Sequence, residues 1–356
     1  MISINLLASL LAVLESAQAV RFLGRVNPET KELTWPGTGV SFTFTGTSAS
    51  IGLEAVTGNN SAELIIDGGE PTVISNVAGI TISTPAGLKQ GNHSVVFRKN
   101  SEASFGSIFI GNITTDGVLG PDVPLPERKI EVIGDSITVG YGIGAALPCT
   151  NTAALEDVSK TYSVLAAKDL KADYSIVAWS GRGITRNYVT ADPDPSPIMP
   201  ALYSRYGAND PDGSYTFPST WTPDAVVINL GTNDFSYLGY VNGANAPLRP
   251  KLDPATYTAA MVKFVLSIKT HYPKATFFLL TSPMLNDGYP SAEEAQKTTQ
   301  TKALEAAVTQ LNGTAVHLVD WPSQGSDVGC DYHPTPATNA AEAKVLAAAI
   351  SAALGW

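Results

Sequence analysis

The segment Gly134-Asp135-Ser136-Ile137-Thr138-Val139-Gly140 directly follows the apolar run Ile130-Glu131-Val132-Ile133. A strand that ends in Gly-Asp-Ser and then turns can hold a serine hydroxyl at the carboxyl edge of a sheet, where open α/β folds place their chemistry. A second apolar run, residues 225–230, leads into Gly231-Thr232-Asn233-Asp234, and Asp331-Tyr332-His333-Pro334 stands near the end of the chain. Serine, glycine, asparagine and histidine, in that order, are the parts of an ester-cleaving site: a nucleophile, donors for an oxyanion, and a base.

A serine hydroxyl is a poor nucleophile until a base takes its proton. The chain has His93, His271, His317 and His333. His93 falls in an all-β region, His271 at the end of a helical stretch, and His317 inside an apolar run that reads as a core strand. His333 alone follows the last strand at the edge that carries Ser136. Acyl transfer also needs donors for the oxyanion. Three candidates are the backbone N–H of Ser136 at the turn into a helix, the N–H of Gly181 in Ser180-Gly181-Arg182-Gly183, and the carboxamide of Asn233.

Two kinds of element position these residues. From residue 129 onward, strand-like runs at 130–133, 174–178, 225–230, Thr276–Leu280 and Val316–Val319 alternate with helical stretches at 162–170, 257–269, 293–311 and 338–354. Five strands alternating with helices predict a doubly wound α/β fold with a five-stranded parallel sheet. Before it, residues 20–116 read as a smaller β-sandwich, jelly-roll-like domain. There Val40, Phe42 and Phe44 alternate with Ser41, Thr43 and Thr45, and Ile51/Leu53 and Val95/Phe97 repeat the pattern between turn signals. Residues 117–128, with Pro121, Pro124 and Pro126, read as a semi-rigid linker.

Residues 1–19 read as a signal peptide: 4–14 are mostly apolar and Ala17-Gln18-Ala19 has the form of a cleavage site. Secretion fits four Asn-x-Ser/Thr sequons, at Asn59, Asn92, Asn112 and Asn312, which point to a eukaryotic glycoprotein. It also fits two cysteines, Cys149 and Cys330, which permit one intramolecular bridge. That bridge would tie the serine loop to the histidine loop; two unpaired buried thiols are the alternative. No metal-ligand spacing or nucleotide fingerprint is present. A net charge of −10 disfavours nucleic acid and anionic membrane as partners.

Gly134-Asp135-Ser136, Gly181, Gly231-Thr232-Asn233-Asp234 and Asp331-Tyr332-His333 together resemble the four signature blocks of the SGNH (GDSL-type) hydrolases, in order and across most of residues 129–356. With the added β domain, the chain is similar to carbohydrate esterase family 2, which joins a small jelly roll to an SGNH domain and removes acetyl groups from plant polysaccharides. The resemblance implies a secreted monomeric serine esterase without cofactor, acting on acetylated xylan or glucomannan. Ser136 would be the nucleophile and His333 the base, with Ser136, Gly181 and Asn233 forming the oxyanion hole. The chain departs at one point. Most SGNH hydrolases place the orienting aspartate three residues before the histidine, where this chain has Cys330. Asp331, two before, can complete a triad, or a backbone carbonyl can orient His333 as in some members of family 2. Trp179, Trp321 and Tyr332 are candidate sugar-stacking contacts. The rival readings are a lipase or other ester hydrolase on the same fold, which no long apolar lid segment supports, and a polysaccharide-binding protein without catalysis.

Overall fold

The computed structural model describes residues 20–121, 126–192 and 194–356. Residues 1–19, expected to be a signal peptide, and Pro124 lie outside them.

The first ten strands are β1 (Arg21–Leu23), β2 (Glu32–Leu33), β3 (Gly39–Gly46), β4 (Ala49–Gly58), β5 (Ala62–Ile66), β6 (Thr72–Ile74), β7 (Thr81–Ser83), β8 (Gly91–Lys99), β9 (Gly106–Thr115) and β10 (Val118–Leu119). They form two antiparallel sheets. One has the order β1-β3-β8-β5-β6 with β10 beside β3, and the other the order β2-β9-β4-β7. Alternating side chains of both sheets meet in one core that includes Val40, Phe42, Phe44, Val95 and Phe97 from the first, and Leu33, Ile51, Ile108 and Ile110 from the second. Val118–Leu119, within the proline-bearing segment, is thus a strand of the first sheet.

The second unit is a parallel sheet of β11 (Lys129–Gly134), β12 (Asp173–Ala178), β13 (Ala225–Asn229), β16 (Thr276–Leu280) and β17 (Val316–Val319), in the order β12-β11-β13-β16-β17. The hairpin β14 (Leu238–Val241) and β15 (Ala244–Pro247) stands apart from it. The inner strands β11, β13 and β16 read as near-continuous apolar runs because helices cover both faces. Helices α2 (Tyr162–Asp169) and α7 (Pro336–Leu354) pack on one face, while α5 (Pro254–His271) and α6 (Gln296–Gln310) pack on the other. Short helices α1 (Ser136–Val139), α3 (Met199–Leu202) and α4 (Thr232–Phe235) occupy loops. Helix starts follow local chemistry. Asp253 caps α5 by accepting the Ala255 N–H, and Thr335 caps α7 by accepting the Thr338 N–H, each before a proline in the first turn. Helix α6 begins at Gln296, three residues later than its spacing predicts, because Ala295 adopts a left-handed conformation (φ 41°) that no helix interior accepts.

The strand order reverses around β11, whose neighbours are β12 and β13. Register places Gly134 level with both Ala178 and Asn229. The chain therefore leaves three adjacent strands at one height, and the segments holding Ser136, Gly181 and Asn233 emerge side by side at the switch point.

The two units share a buried interface. Arg25 of the β domain pairs with Glu131 of β11, both side chains fully buried, and its guanidinium lies 3.7 Å from the centre of the Tyr215 ring. Trp35 joins the core of the α/β unit and donates its indole N–H to the Tyr206 carbonyl at 2.7 Å. Among the described residues no helix is long and apolar enough to cross a membrane.

Candidate active site

Ser136 is the first residue of α1, a single turn whose N-cap is Asp135. The Asp135 carboxylate turns inward to accept the Ile137 N–H at 3.0 Å, which leaves the Ser136 side chain at the sheet edge, 6 % exposed. The Ser136 amide, in the first helical turn, has no intrahelical acceptor. Burial pushes the Asp135 carboxyl up to about 7, a shift to which the neighbouring charge of Asp234 adds.

The second segment is a turn closed by the Arg182 N–H on the Trp179 carbonyl, at 3.3 Å. Gly181 stands third in it with φ 76°, a value that third residues of type II turns require and that favours glycine. Its carbonyl accepts the Tyr188 N–H at 2.7 Å, and among the described residues no group accepts its own N–H.

Asn233 lies in α4 beside both segments. Its Nδ2 donates to Asp135 Oδ2 at 3.1 Å and to the Arg182 carbonyl at 2.9 Å, so both amide hydrogens are engaged. Asp234, next along, accepts the N–H groups of Ile184, Thr185 and Arg186 and so holds the loop after Gly181.

His333 follows a tight turn, Cys330–Tyr332, in which Asp331 and Tyr332 both take left-handed conformations (φ 48° and 66°). This rare pair is held by the Gly329 N–H on the His333 carbonyl at 2.8 Å and by the disulfide from Cys330 to Cys149. Gly142 makes room for that bridge: a Cβ there would sit 2.2 Å from Cys330 Cβ. The His333 ring is 9 % exposed and stacks on Tyr141, centroids 4.2 Å apart. Tyr141 belongs to the turn that leaves Ser136, its N–H donating to the Ser136 carbonyl at 3.1 Å, so the stack sets the imidazole against the serine helix.

His333 Nδ1 lies 3.0 Å from the Cys330 carbonyl. An N–H at Nδ1 satisfies that oxygen and leaves Nε2 as a lone-pair acceptor, without a partner among the described residues. Asp331 is directed elsewhere: its Oδ2 accepts the Tyr141 phenol at 2.6 Å. Burial lowers His333 to about 4, partly opposed by its bond to the Cys330 carbonyl and by Asp331, so the ring is neutral at pH 7.

The other expected residues separate by exposure. Tyr332 is 65 % exposed beside His333. Trp179 is half-buried, its ring edge-on to Trp35 at 6.4 Å and capped by the Arg182 guanidinium at 4.9 Å. Trp321 does not line the site. It is 0 % exposed, packed edge-on against Tyr162 at 4.7 Å, because the loop after β17 folds inward over the α2/α7 face. His317 is not in the core, since β17 is an edge strand and the residue faces outward, stacked on Phe278. Asn59, Asn92, Asn112 and Asn312 are all exposed. Tyr188, a residue not among those expected, is 52 % exposed and tied by its N–H to the Gly181 carbonyl. It lies outside every motif block, and only the fold brings it there.

A parallel sheet that carries a serine, a histidine and backbone N–H groups at its carboxyl edge has the build of an α/β hydrolase. Residues 132–341 match the GDSL-like Lipase/Acylhydrolase family and residues 22–121 match the Carbohydrate esterase 2 N-terminal domain. A crystal structure of a Corynascus thermopiles (Myceliophthora fergusii) carbohydrate esterase family 2 enzyme plus carbohydrate binding domain is 65 % identical, with a TM-score of 0.90 over 95 % of this chain and 100 % of that one. An acetylxylan esterase / glucomannan deacetylase of Cellvibrio japonicus is 33 % identical over 86 % of this chain and 82 % of its own length. The cellulase/esterase CelE of Acetivibrio thermocellus is 32 % identical over 93 % of this chain, which spans 38 % of that longer protein. The chain belongs to the GDSL-like hydrolases, within carbohydrate esterase family 2, and is a carboxylic ester hydrolase.

Proposed function

We propose that the protein is a secreted deacetylase that removes O-acetyl groups from plant cell-wall polysaccharide, acetylated xylan or glucomannan, through an acetyl-enzyme. The observation that carries this reading is the neutral His333 ring, fixed by the Cys330 carbonyl and the Tyr141 stack, with Nε2 unpartnered beside the serine helix.

Ser136 Oγ attacks the acetyl carbonyl carbon as His333 Nε2 takes its proton. The amides of Ser136 and Gly181 receive the oxyanion. Asn233 joins them by releasing Asp135, a carboxyl that burial keeps partly protonated near pH 7 and therefore a weak competitor. The tetrahedral intermediate collapses, and the sugar oxygen departs with the proton from His333. Water then attacks the acetyl-serine by the same route in reverse roles, freeing acetate. The Cys330 carbonyl orients the imidazole, giving a Ser–His dyad. Exposed Tyr332 and Tyr188 flank the site and offer faces for sugar rings. The disulfide and the exposed sequons suit an oxidising extracellular setting.

The test is acetate release from acetylated xylan and acetylated glucomannan, with acetate and long-chain aryl esters compared in parallel. Acid-quenched digests should contain a Ser136 peptide bearing one acetyl group. Preference for long-chain esters would favour a lipase, and absence of all turnover a binding protein.

A further inference from the structure

The β domain reaches the catalytic edge with a buried carboxylate. Glu102 follows β8, is 2 % exposed, and its Oε2 accepts the backbone N–H of Ser180 at 2.6 Å. Its Oε1 accepts the Ser104 hydroxyl at 2.6 Å. Lys99, also buried, stiffens this segment by donating to the carbonyls of Ser101 at 2.5 Å and Glu102 at 2.9 Å.

Ser180 is the second residue of the Trp179–Arg182 turn and Gly181 the third. The peptide between those two positions faces opposite ways in type I and type II turns. Here it is fixed on both sides, by Glu102 on the Ser180 N–H and by the Tyr188 N–H on the Gly181 carbonyl. The Gly181 N–H lies within the peptide so clamped. A buried carboxyl is costly to desolvate, and this acceptor is what the position gains over an apolar residue.

Glu102 also links the two catalytic loops. Its N–H donates to Glu156 Oε2 at 2.8 Å, Glu156 Oε1 accepts Asn151 Nδ2 at 2.7 Å, and Asn151 Oδ1 accepts the Gly142 N–H at 2.9 Å. Gly142 adjoins Tyr141, whose ring stacks on His333.

We propose that Glu102 is a positioning residue for ester hydrolysis, a carboxylate supplied by the β domain that fixes the Ser180–Gly181 peptide so that the Gly181 amide meets the oxyanion. This rests on the reading of Gly181 as an oxyanion donor.

The test is steady-state kinetics of Glu102→Met and Glu102→Gln on an aryl acetate, beside Ser136→Ala. It is joined by the rate at which an aryl phosphonate ester, whose P=O oxygen occupies the oxyanion position, labels the active serine. Direct loss of one oxyanion donor costs about 10²–10³ in rate, so misdirecting one should cost about 10- to 100-fold. Glu102→Met should lose that much kcat with KM near the parent value, and phosphonylation should slow in proportion. Glu102→Gln can accept the Ser180 N–H while its amide donates to Ser104 Oγ, and should recover most of the rate. Parental kcat in Glu102→Met, a loss that Glu102→Gln does not recover, or unchanged phosphonylation overturns the proposal. If Glu102→Met lacks a cooperative unfolding transition, Glu102→Asp replaces it. That variant withdraws the carboxylate by one methylene and should lose at least about 10-fold; parental kcat there is equally fatal. An active Ser136→Ala instead sinks the catalytic reading itself, whereas a dead Ser136→Ala beside a fully active Glu102→Met sinks only the role of Glu102.

Discussion

The phenol of Tyr141 donates to Asp331 Oδ2 at 2.6 Å, so the aspartate nearest the proposed base is bonded to the ring that lies flat on that base. Asp331 braces the support of His333, and among the described residues its carboxylate makes no hydrogen bond to the imidazole.

Asp331→Ala should therefore be a mild lesion. Loss of an aspartate that fixes a histidine tautomer can cost about 10⁴ in turnover. Here the Cys330 carbonyl holds Nδ1, and the expected loss is about 10- to 100-fold, with Tyr141→Phe similar or smaller. Measuring kcat for Asp331→Ala beside His333→Ala on an acetate ester checks this. Two equally inactive, folded variants would show that Asp331 is a full triad member.

The acid limb of kcat/KM should fall nearer pH 4 than the ordinary histidine value of about 6.5. The sign follows from burial. The folded-state value lies below the unfolded one, so neutral His333 persists to lower pH. The same shift makes its contribution to stability complete above about 6.5 and lost as pH falls toward 4. A pH–rate profile with an acid limb at 6.5 or above contradicts the assignment.

Replacing both Cys149 and Cys330 by alanine should lower stability by about 2–5 kcal/mol, since the bridge closes a loop with a sequence separation of 181. It should also lower kcat, because Cys330 carries the carbonyl that orients His333 in a turn of two left-handed residues. Denaturant titration and kinetics on the double variant test both parts; a parental kcat would show that the turn holds without the bridge.

Tryptophan and tyrosine replacements should separate. Trp321→Ala removes a fully buried side chain and should cost about 3–5 kcal/mol of stability without raising KM in the folded fraction. Tyr332→Ala and Tyr188→Ala should raise KM on polysaccharide while leaving kcat on a small acetate ester close to parental. A polysaccharide KM that is unmoved in both tyrosine variants removes them from the cleft.

The parallel sheet was legible because burial on both faces compresses each inner strand into an apolar run, and its carboxyl ends coincide with the Gly-Asp-Ser and Gly-Thr-Asn-Asp phrases. The hairpin Leu238–Val241/Ala244–Pro247 was not, since it lies largely exposed and carries no alternation to read. Trp321 was misjudged because its position after a strand says nothing about which way the loop folds. Nor could the Tyr141–Asp331 bond be read, its partners being 190 residues apart. The sequence left His333 two candidate orienting partners; in the fold the Cys330 carbonyl lies 3.0 Å from Nδ1 while the Asp331 carboxylate accepts the Tyr141 phenol.

The Arg25–Glu131 pair has a consequence for how this chain can be divided. Glu131 sits on the first strand of the catalytic sheet, also receives the indole N–H of Trp221, and among the described residues has its one ion-pair partner in the other domain. Cutting after the sandwich would take away the guanidinium paired with this carboxylate and bare the interface that buries them both. The catalytic half is thus not a portable cassette. A chimera that keeps the hydrolase and exchanges its β partner must bring a guanidinium to the same spot or neutralise residue 131.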